Sequence, residues 1–377
     1  MIKVSKNVLV AIPCLMLGGT EYQTLNLVRA LSQSGYSPIV LCYFEHDSRM
    51  VDYMRDVGAK VILMSPEGKR PRGLKRTFQA LWNGFRDAIR TFHPEIVHVQ
   101  YMAPGSLAII LFKLLGARRI IATAHVPGHI YTRKWVPQLL SRYVCDLFLC
   151  VSRSSEEAFF DSEASFFDLQ LYRNGRRHFT LYNCTDIPDR PESFSDAPAV
   201  CIGVVSRLSK EKGIDRLIKS APAILSRYPD TRFLIVGDGA EKPVLETMSK
   251  SLGIADAFEW SGLQPKEMLP QFYRRMDIVA VPSRFEGFGL TAIEAMSHAR
   301  SVVASNVDGL SEVVEDGLTG VLFDPESPDA LTDSINYLIE FPDKRDQMGT
   351  EGYSRVKALF SYNIYQKTIS DIYSHLS

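Results

Sequence analysis

Two carboxylates flank a glycine-rich turn in the segment 282–296, which reads PSRFEGFGLTAIEAM. The apolar run at 277–281 predicts a buried strand before the turn, and a helical pattern begins near Leu290. Backbone N–H groups at a helix N-terminus lack intrahelical partners, so they can bind an anion. Glu286 and Glu294 can each accept hydrogen bonds from sugar hydroxyls. The segment therefore predicts a site for a phosphorylated sugar, unless its glycines only permit an ordinary strand–turn–helix joint.

Two cations follow an earlier apolar run, in the segment 203–213 that reads GVVSRLSKEKG. Arg207 stands at the carboxyl end of a predicted strand, and Lys212 stands five residues later, before a predicted helix. Two cations at one strand end can neutralise a diphosphate, with Arg as a fork and Lys as a point charge. The alternative is a pair of surface charges beside a turn.

The two motifs together resemble family four of the retaining glycosyltransferases, the group 1 enzymes with the GT-B fold. That family has a Glu, seven residues and a second Glu, together with an Arg and a Lys in a Gly-Arg-Leu…Lys-Gly setting. This chain keeps Gly-Phe-Gly-Leu between the carboxylates and Glu-Ala-Met after them. Ser206 stands where Gly is commoner, a mild departure.

The resemblance implies a role for each matched residue. Arg207 and Lys212 would stabilise the departing diphosphate, Glu286 would bind the hydroxyls of the donor sugar, and Glu294 would bind the ribose. Backbone groups of further matched positions would complete the donor site: Gly18, Gly19, Gly237, Gly262, Leu263, Gly287, Phe288, Gly289 and Leu290.

A histidine at another strand end, His125, matches the residue that lies close to the transferred sugar in the family. We expect it to act in catalysis with Glu286, Arg207 and Lys212. Glu21 and His129 are candidates for acceptor contacts, although Glu21 can equally be a first-turn carboxylate that the helix dipole favours.

Strand-like and helix-like segments alternate along the chain, which predicts an α/β protein with doubly wound parallel sheets. The proline-rich, acidic segment 187–198 reads as a linker. We therefore expect two Rossmann-like domains facing a cleft, 1–186 and 199–355. The resemblance implies that the first lies on the acceptor side and the second on the nucleotide-sugar side. A C-terminal helix over 356–377 can cross back to the N-terminal domain.

The composition is that of a globular protein, with 46% hydrophobic residues and no net charge, but the two halves differ. Residues 1–190 carry 24 Lys and Arg against 16 Asp and Glu, a net charge of +8. This excess of positive charge suits an anionic partner such as a phosphate-rich ligand or a membrane surface. The alternative is that the charges only lie on solvated faces. A basic loop at 69–76, before a helix with Phe78, Trp82 and Phe85, is open to the same two interpretations.

The six cysteines show no Cys-x-x-Cys pair or zinc spacing, so we expect buried free thiols. The N-terminal apolar run predicts a first strand rather than a secretory signal, and no run is long enough for a transmembrane helix. We expect a cytoplasmic protein that can contact the inner face of the plasma membrane.

The resemblance implies transfer of a sugar, with retention, from a UDP- or GDP-linked donor to a glycan or lipid-linked acceptor in polysaccharide or glycoconjugate biosynthesis. Since the sequence has no Asp-x-Asp, we expect no bridging metal. We also expect no cofactor, because the nucleotide sugar is the donor substrate. The alternatives are a nucleotide-sugar epimerase or a phosphorylase on the same fold, and a non-catalytic nucleotide-sugar-binding protein.

Overall fold

The structure is a computed structural model that describes residues 6–100, 105–190, 199–327 and 329–376. It divides the chain into two compact units, Met1–Cys184 with Tyr362–Ser377, and Thr185–Ser361. Most of the predicted linker, 191–198, lies outside the described residues.

The first unit is built on a seven-stranded parallel sheet with the order β3-β2-β1-β4-β5-β6-β7. Its strands are apolar and mostly buried, as expected of strands covered on both faces. Their bounds are β1 Asn7–Ile12, β2 Ser37–Cys42, β3 Lys60–Leu63, β4 Ile96–Gln100, β5 Arg119–Ala124, β6 Leu147–Cys150 and β7 His178–Thr180.

Helices cover both faces of this sheet. They are α1 Gly19–Gln33, α2 Ser48–Asp56, α3 Leu74–Phe92, α4 Gly105–Leu114, α5 Trp135–Tyr143, α6 Arg153–Phe160, α7 Leu169–Arg173 and, from the end of the chain, α15 Tyr362–Leu376. One apolar cluster joins α1, α2 and α15 to one face of the sheet, and a second joins α3, α4 and α5 to the other.

The second unit has a six-stranded parallel sheet with the order β10-β9-β8-β11-β12-β13. Its strands are β8 Cys201–Val205, β9 Arg232–Val236, β10 Phe258–Gly262, β11 Ile278–Val281, β12 Ser301–Ser305 and β13 Gly320–Phe323. Its helices are α8 Ile214–Arg227, α9 Lys242–Ser251, α10 Leu269–Arg274, α11 Leu290–Ser297, α12 Leu310–Val313, α13 Ala330–Glu340 and α14 Pro342–Leu359.

The doubly wound α/β architecture predicted from the sequence is confirmed by these two parallel sheets. Two details differ from the prediction. The basic segment 69–76 is not entirely a loop, because Lys75 and Arg76 lie in the first turn of α3. The C-terminal helix was predicted over 356–377, but 356–359 end α14 and a new helix begins at Tyr362.

No helix among the described residues is long and apolar enough to cross a bilayer. The six cysteines are free thiols, and four of them are buried.

The C-terminal helix is fixed to the first sheet through a buried hydrogen-bond chain. The hydroxyl of Tyr373 lies 2.7 Å from Nδ1 of His98, and Nε2 of His98 lies 2.7 Å from Oγ1 of Thr123. Burial, with a smaller contribution from His125, lowers the pKa of His98 to about 3, so this ring is neutral near pH 7. A neutral ring with both nitrogens bonded joins α15, β4 and β5.

We therefore expect Tyr373→Phe to destabilise the first unit, because it leaves a buried ring nitrogen without its partner. The cost of such an orphaned buried group is about 1–3 kcal/mol. The matched control is Tyr362→Phe on the same helix, which loses a 2.8 Å bond to the side chain of Gln33, an exposed residue that water can solvate. Thermal unfolding of both variants checks this, and equal losses would contradict the role of the buried chain.

Candidate active site

The site of the second unit lies where the order of its sheet reverses. From β8 the chain proceeds to β9 on one side, whereas from β11 it proceeds to β12 on the other. Strands β8 and β11 are hydrogen-bonded neighbours, so the loops that leave their carboxyl ends are adjacent. Such a reversal point opens a crevice where ligands of open α/β sheets bind.

An ion pair joins these two loops. The ammonium of Lys212, from the loop after β8, lies 2.6 Å from Oε2 of Glu286, from the loop after β11. Both side chains are largely buried, with 24% and 16% of their surface exposed. The hydroxyl of Ser283 donates a further bond of 3.3 Å to the same carboxylate oxygen. Lys212 and Glu286 also line a small depression together with Ser206 and Thr291.

Hydrogen bonds from the backbone and the guanidinium of Arg284 hold the loop after β11 against the loop after β8. The N–H of Arg284 donates to the carbonyl of Glu211, at 2.8 Å. The guanidinium of Arg284 makes two bonds to the carboxylate of Asp215, at 2.8 and 2.9 Å, and one to the carbonyl of Lys210. A bidentate arginine fixes orientation as well as distance. The position of Lys212 therefore depends on the loop after β11.

Gly213 allows the close approach of these loops. Its φ is +65°, in the left-handed region, and it precedes α8. A Cβ at this position would lie 2.0 Å from the carbonyl oxygen of Pro282, so only glycine fits without displacing the backbone of the neighbouring loop.

The glycine-rich turn is buried and leads into α11. Gly289 stands before the helix with a φ of +110°. The N–H of Glu286 donates to the carboxylate of Asp308, at 3.3 Å, and the side chain of Phe288 is buried against Phe360. Only the backbone of Phe288 is thus available to a ligand. The hydroxyl of Thr291, in the first turn of α11, donates to the carbonyl of Val205 and joins the helix to β8.

Glu294, further along α11, is partly buried and accepts a 3.0 Å bond from the hydroxyl of Tyr273. Burial raises the pKa of Glu294, and this outweighs the opposing effects of Lys266 and Tyr273. The ring of Tyr273 stacks on His298, at 5.2 Å between centroids, which fixes the hydroxyl.

Arg207 does not join the ion pair. Its side chain is 72% exposed, and its guanidinium bonds the carboxylate of Glu211 at 2.8 Å. Other predicted donor positions are turn residues of the same unit: Gly237 is buried with a φ of +137°, Gly262 has a φ of +66°, and Leu263 is 53% exposed.

The remaining predicted residues belong to the first unit. Nε2 of His125, at the end of β5, lies 2.7 Å from Oε1 of Gln100, and burial lowers the pKa of His125, so its ring is neutral near pH 7. Gly18 and Gly19 begin α1, and buried Glu21 accepts a bond from the thiol of Cys14. His129 is exposed.

Sequence reasoning missed Ser283, Asp308 and Tyr273. Ser283 lies within the motif that was identified, so its place after the strand was a usable signal. Asp308 contacts Glu286 from 22 positions away, and Tyr273 contacts Glu294 from 21 positions away. Neither residue belongs to a motif of its own. Among the described residues, no three His, Cys, Asp or Glu side chains are grouped to hold a metal ion.

Family models match both parts of the chain. Residues 188–355 match "Glycosyl transferases group 1", and residues 17–161 match "Glycosyltransferase Family 4". A GDP-mannose-dependent alpha-(1-6)-phosphatidylinositol monomannoside mannosyltransferase of Mycolicibacterium smegmatis is 30% identical over 275 residues, 68% of this chain and 71% of that protein. The chain belongs to this family of glycosyltransferases. The resemblance inferred from the two motifs is thus confirmed.

Other relatives of this glycosyltransferase match over shorter segments. A D-inositol 3-phosphate glycosyltransferase of Corynebacterium urealyticum is 36% identical over 185 residues, 47% of this chain and 43% of that protein. Among the curated relatives, several are matched over only 40–45% of their own length. A structure of the Anabaena protein HepE with UDP and glucose has a TM-score of 0.80 and 21% identity, and covers 98% of this chain and 100% of that one. This likeness shows the GT-B fold.

The Gly213 contact leads to a prediction about the second unit. Gly213→Ala should combine left-handed strain with a backbone clash, whereas Gly253→Ala, at a φ of +70° with nothing within 4 Å of the added atom, adds strain alone. Left-handed strain costs about 1–2 kcal/mol. We expect the loss for Gly213→Ala to exceed that of Gly253→Ala, measured by thermal unfolding. Equal losses would show that the contact with Pro282 does not constrain the loop.

Proposed function

We propose that this glycosyltransferase moves a sugar, with retention at the anomeric carbon, from a UDP- or GDP-linked donor to a glycan or lipid-linked acceptor. The observation that carries the proposal is the Lys212–Glu286 pair at the reversal point of the second sheet, next to the helix-forming glycine turn. The relatives agree in part: HepE binds UDP and glucose, and the mycobacterial relative uses GDP-mannose by its name. The proposal therefore includes both uracil and guanine as the base of the donor nucleotide.

The leaving group in this reaction is a nucleoside diphosphate, on which negative charge grows as the glycosidic bond breaks. Preorganised donors directed at developing charge are often the largest contribution to catalysis. In this proposal, Lys212 and the backbone amides at the start of α11 supply this stabilisation. Arg207, whose side chain is 72% exposed, can join them by leaving its partner Glu211.

In this proposal, the carboxylate of Glu286 takes the position beside Lys212 that the diphosphate of the donor would occupy. Glu286 holds Lys212 in position while the site lacks an anion, and a diphosphate would then compete with the carboxylate for the ammonium. When Lys212 turns to phosphate, the oxygens of Glu286 become available to the hydroxyls of the transferred sugar. Binding of the diphosphate would therefore direct Lys212 to phosphate and free Glu286 for the transferred sugar in one step.

Glu294 and Tyr273 are proposed to bind the ribose, with the hydroxyl of Tyr273 fixing one carboxylate oxygen so that the other faces the ligand. Neutral His125 and the first-turn residues Gly18 and Gly19 are proposed to complete the reaction from the first unit, together with Glu21 and His129 on the acceptor side. The neutral ring of His125 is suited to donating one hydrogen bond to a sugar hydroxyl or to accepting one from it.

The proposal is tested by incubating the protein with labelled UDP- and GDP-sugars and a glycolipid extract, and by assigning the anomeric configuration of the product by NMR. Transfer with retention supports it. Transfer with inversion would overturn the retaining mechanism, and epimerisation of the donor without transfer would favour the epimerase alternative.

The first prediction from this mechanism concerns metals. Because cations of the protein and helix amides are proposed to stabilise the diphosphate, we expect activity to persist in excess EDTA. Loss of activity that magnesium or manganese restores would contradict the proposed treatment of the leaving group.

The second prediction concerns Lys212 and Arg207. Removing one such donor typically lowers turnover by a factor of about 10²–10³. We expect Lys212→Ala and Arg207→Ala each to do so with a smaller change in donor affinity, and the double variant to lose less than the product of the two. Steady-state kinetics measure this. Arg227→Ala, which breaks an exposed pair with Glu340, is the control and should keep normal turnover.

The third prediction concerns Glu294. Glu294→Gln should weaken nucleoside diphosphate binding about ten- to a hundredfold, because hydrogen bonds to a charged group are worth about 1.5–3 kcal/mol. Binding should also weaken as the pH falls through the raised pKa of this carboxyl, since protonation removes the charge. Tyr273→Phe removes a donor that favours the charged form, so it should shift this loss to higher pH. Calorimetry across pH that shows no change in either variant would remove Glu294 from the site.

A further inference from the structure

Three neighbouring helices of the first unit, α3, α4 and α5, carry apolar side chains on their outer as well as their inner surface. Their inner residues pack on the sheet in one apolar cluster. Helices that cover a sheet ordinarily direct polar residues to solvent, so an apolar outer face needs an explanation.

Helix α5 shows the outer stripe most clearly. Trp135, Leu139 and Tyr143 are 59%, 47% and 65% exposed, and they stand at i, i+4 and i+8, which places them on one side of the helix. The residues that α5 buries lie on the other side, among them Pro137 and Leu140.

Helix α4 continues the apolar surface. Leu107, Ile110 and Leu114 are 39%, 42% and 68% exposed, while the residues between them, such as Ile109 and Phe112, are completely buried. The helix is thus apolar around most of its circumference, which is typical of a helix covered on both sides.

Helix α3 has a similar outer stripe at its start. Leu74 is 92% and Phe78 is 46% exposed, and the ring of Phe78 stacks on Trp82 at 6.2 Å. Lys75 and Arg76 stand beside them in the same turn and are exposed. The basic segment predicted at 69–76 therefore adjoins an exposed apolar stripe.

The charge carried by α4, α5 and the segment between them has one sign, and the single carboxylate of α3, Asp87, lies 3.0 Å from Arg86. No Asp or Glu occurs between Glu95 and Asp146, a stretch that contains α4 and α5, whereas six Lys or Arg do: Lys113, Arg118, Arg119, Arg133, Lys134 and Arg142. Within the described part of the chain, the one ion pair of these six joins Lys134 to Asp161 at 3.9 Å. The guanidinium of Arg142 lies over the ring of Tyr143.

We infer that the outer face of α3, α4 and α5 docks on an anionic lipid bilayer. Trp and Tyr favour the boundary between headgroups and acyl chains, the aliphatic residues enter that boundary, and Lys and Arg attract anionic lipid. A second copy of the chain fits this face less well, because a twofold interface would bring the same cations against each other. Docking rests on this surface alone and does not require the proposed transfer reaction.

The experiment is flotation of the full chain with vesicles of phosphatidylglycerol and phosphatidylcholine, compared with vesicles of phosphatidylcholine alone. We expect binding to the anionic vesicles that weakens with added salt. Arg133→Ser combined with Arg142→Ser should weaken it about 30-fold, since each cation near an anionic surface is worth about 1 kcal/mol, or about fivefold. Trp135→Ser combined with Tyr143→Ser should weaken it at least as much, and circular dichroism should show both variants folded.

The matched control is Val244→Ser combined with Lys250→Ser, which removes one exposed apolar and one exposed basic residue from α9 of the second unit. It should bind as the wild type does. Equal weakening by the control, or binding to neutral vesicles as strong as to anionic ones, would overturn the assignment. So would an absence of vesicle binding with self-association that Trp135→Ser and Tyr143→Ser abolish in sedimentation.

Quenching of tryptophan fluorescence by brominated lipids tests the position directly. The wild type should be quenched on anionic vesicles, Trp135→Phe should lose a large part of that quenching, and Trp260→Phe, in β10 of the second unit, should keep it. Unchanged quenching in Trp135→Phe would show that this face does not enter the bilayer.

Discussion

The ion pair between Lys212 and Glu286 is the interaction on which the candidate site depends. The two side chains leave the carboxyl ends of neighbouring strands, β8 and β11, at the point where the sheet order reverses. At 2.6 Å and with little exposure, this pair fixes a cation in a depression that Thr291, in the first turn of α11, also lines. We propose that an anion there meets the partly desolvated ammonium and the backbone N–H groups at the start of α11, and both interactions are stronger in a buried site than in water. The GDP-mannose dependence in the name of the mycobacterial relative accords with this chemistry.

Backbone contacts make that arrangement possible. The loop after β8 can approach the loop after β11 because Gly213 lies against the carbonyl of Pro282, where a Cβ would clash. The loop after β12 approaches the glycine-rich turn in the same way, with Gly309 against the carbonyl of Gly287. The bidentate bond of Arg284 to Asp215 then holds the loops together. The first unit uses a different device, a buried neutral histidine that joins its last helix to two strands.

The sequence was sufficient for the fold class, because buried parallel strands and amphipathic helices have distinct periodicities. A strand as short as β7, with three residues, has too few positions for a periodic pattern. It identified Lys212 and Glu286 separately, but their direct contact depends on β8 and β11 being neighbours, which no local pattern states. It grouped Arg207 with Lys212 by spacing, whereas the structure turns Arg207 toward Glu211. The side chain of Phe288 packs inward, and Tyr273 reaches Glu294 from a separate helix, so neither feature could be inferred from the motif alone.

The central claim is that the carboxyl ends of β8 and β11 bind the diphosphate of the donor and that Lys212 exchanges Glu286 for phosphate. The most direct measurement is a crystal structure of the protein with UDP or GDP. We expect a phosphate oxygen at hydrogen-bonding distance from Nζ of Lys212, about 2.7–3.2 Å, with the bond to Glu286 lengthened or broken. A diphosphate bound elsewhere, with the Lys212–Glu286 pair still intact, would contradict it.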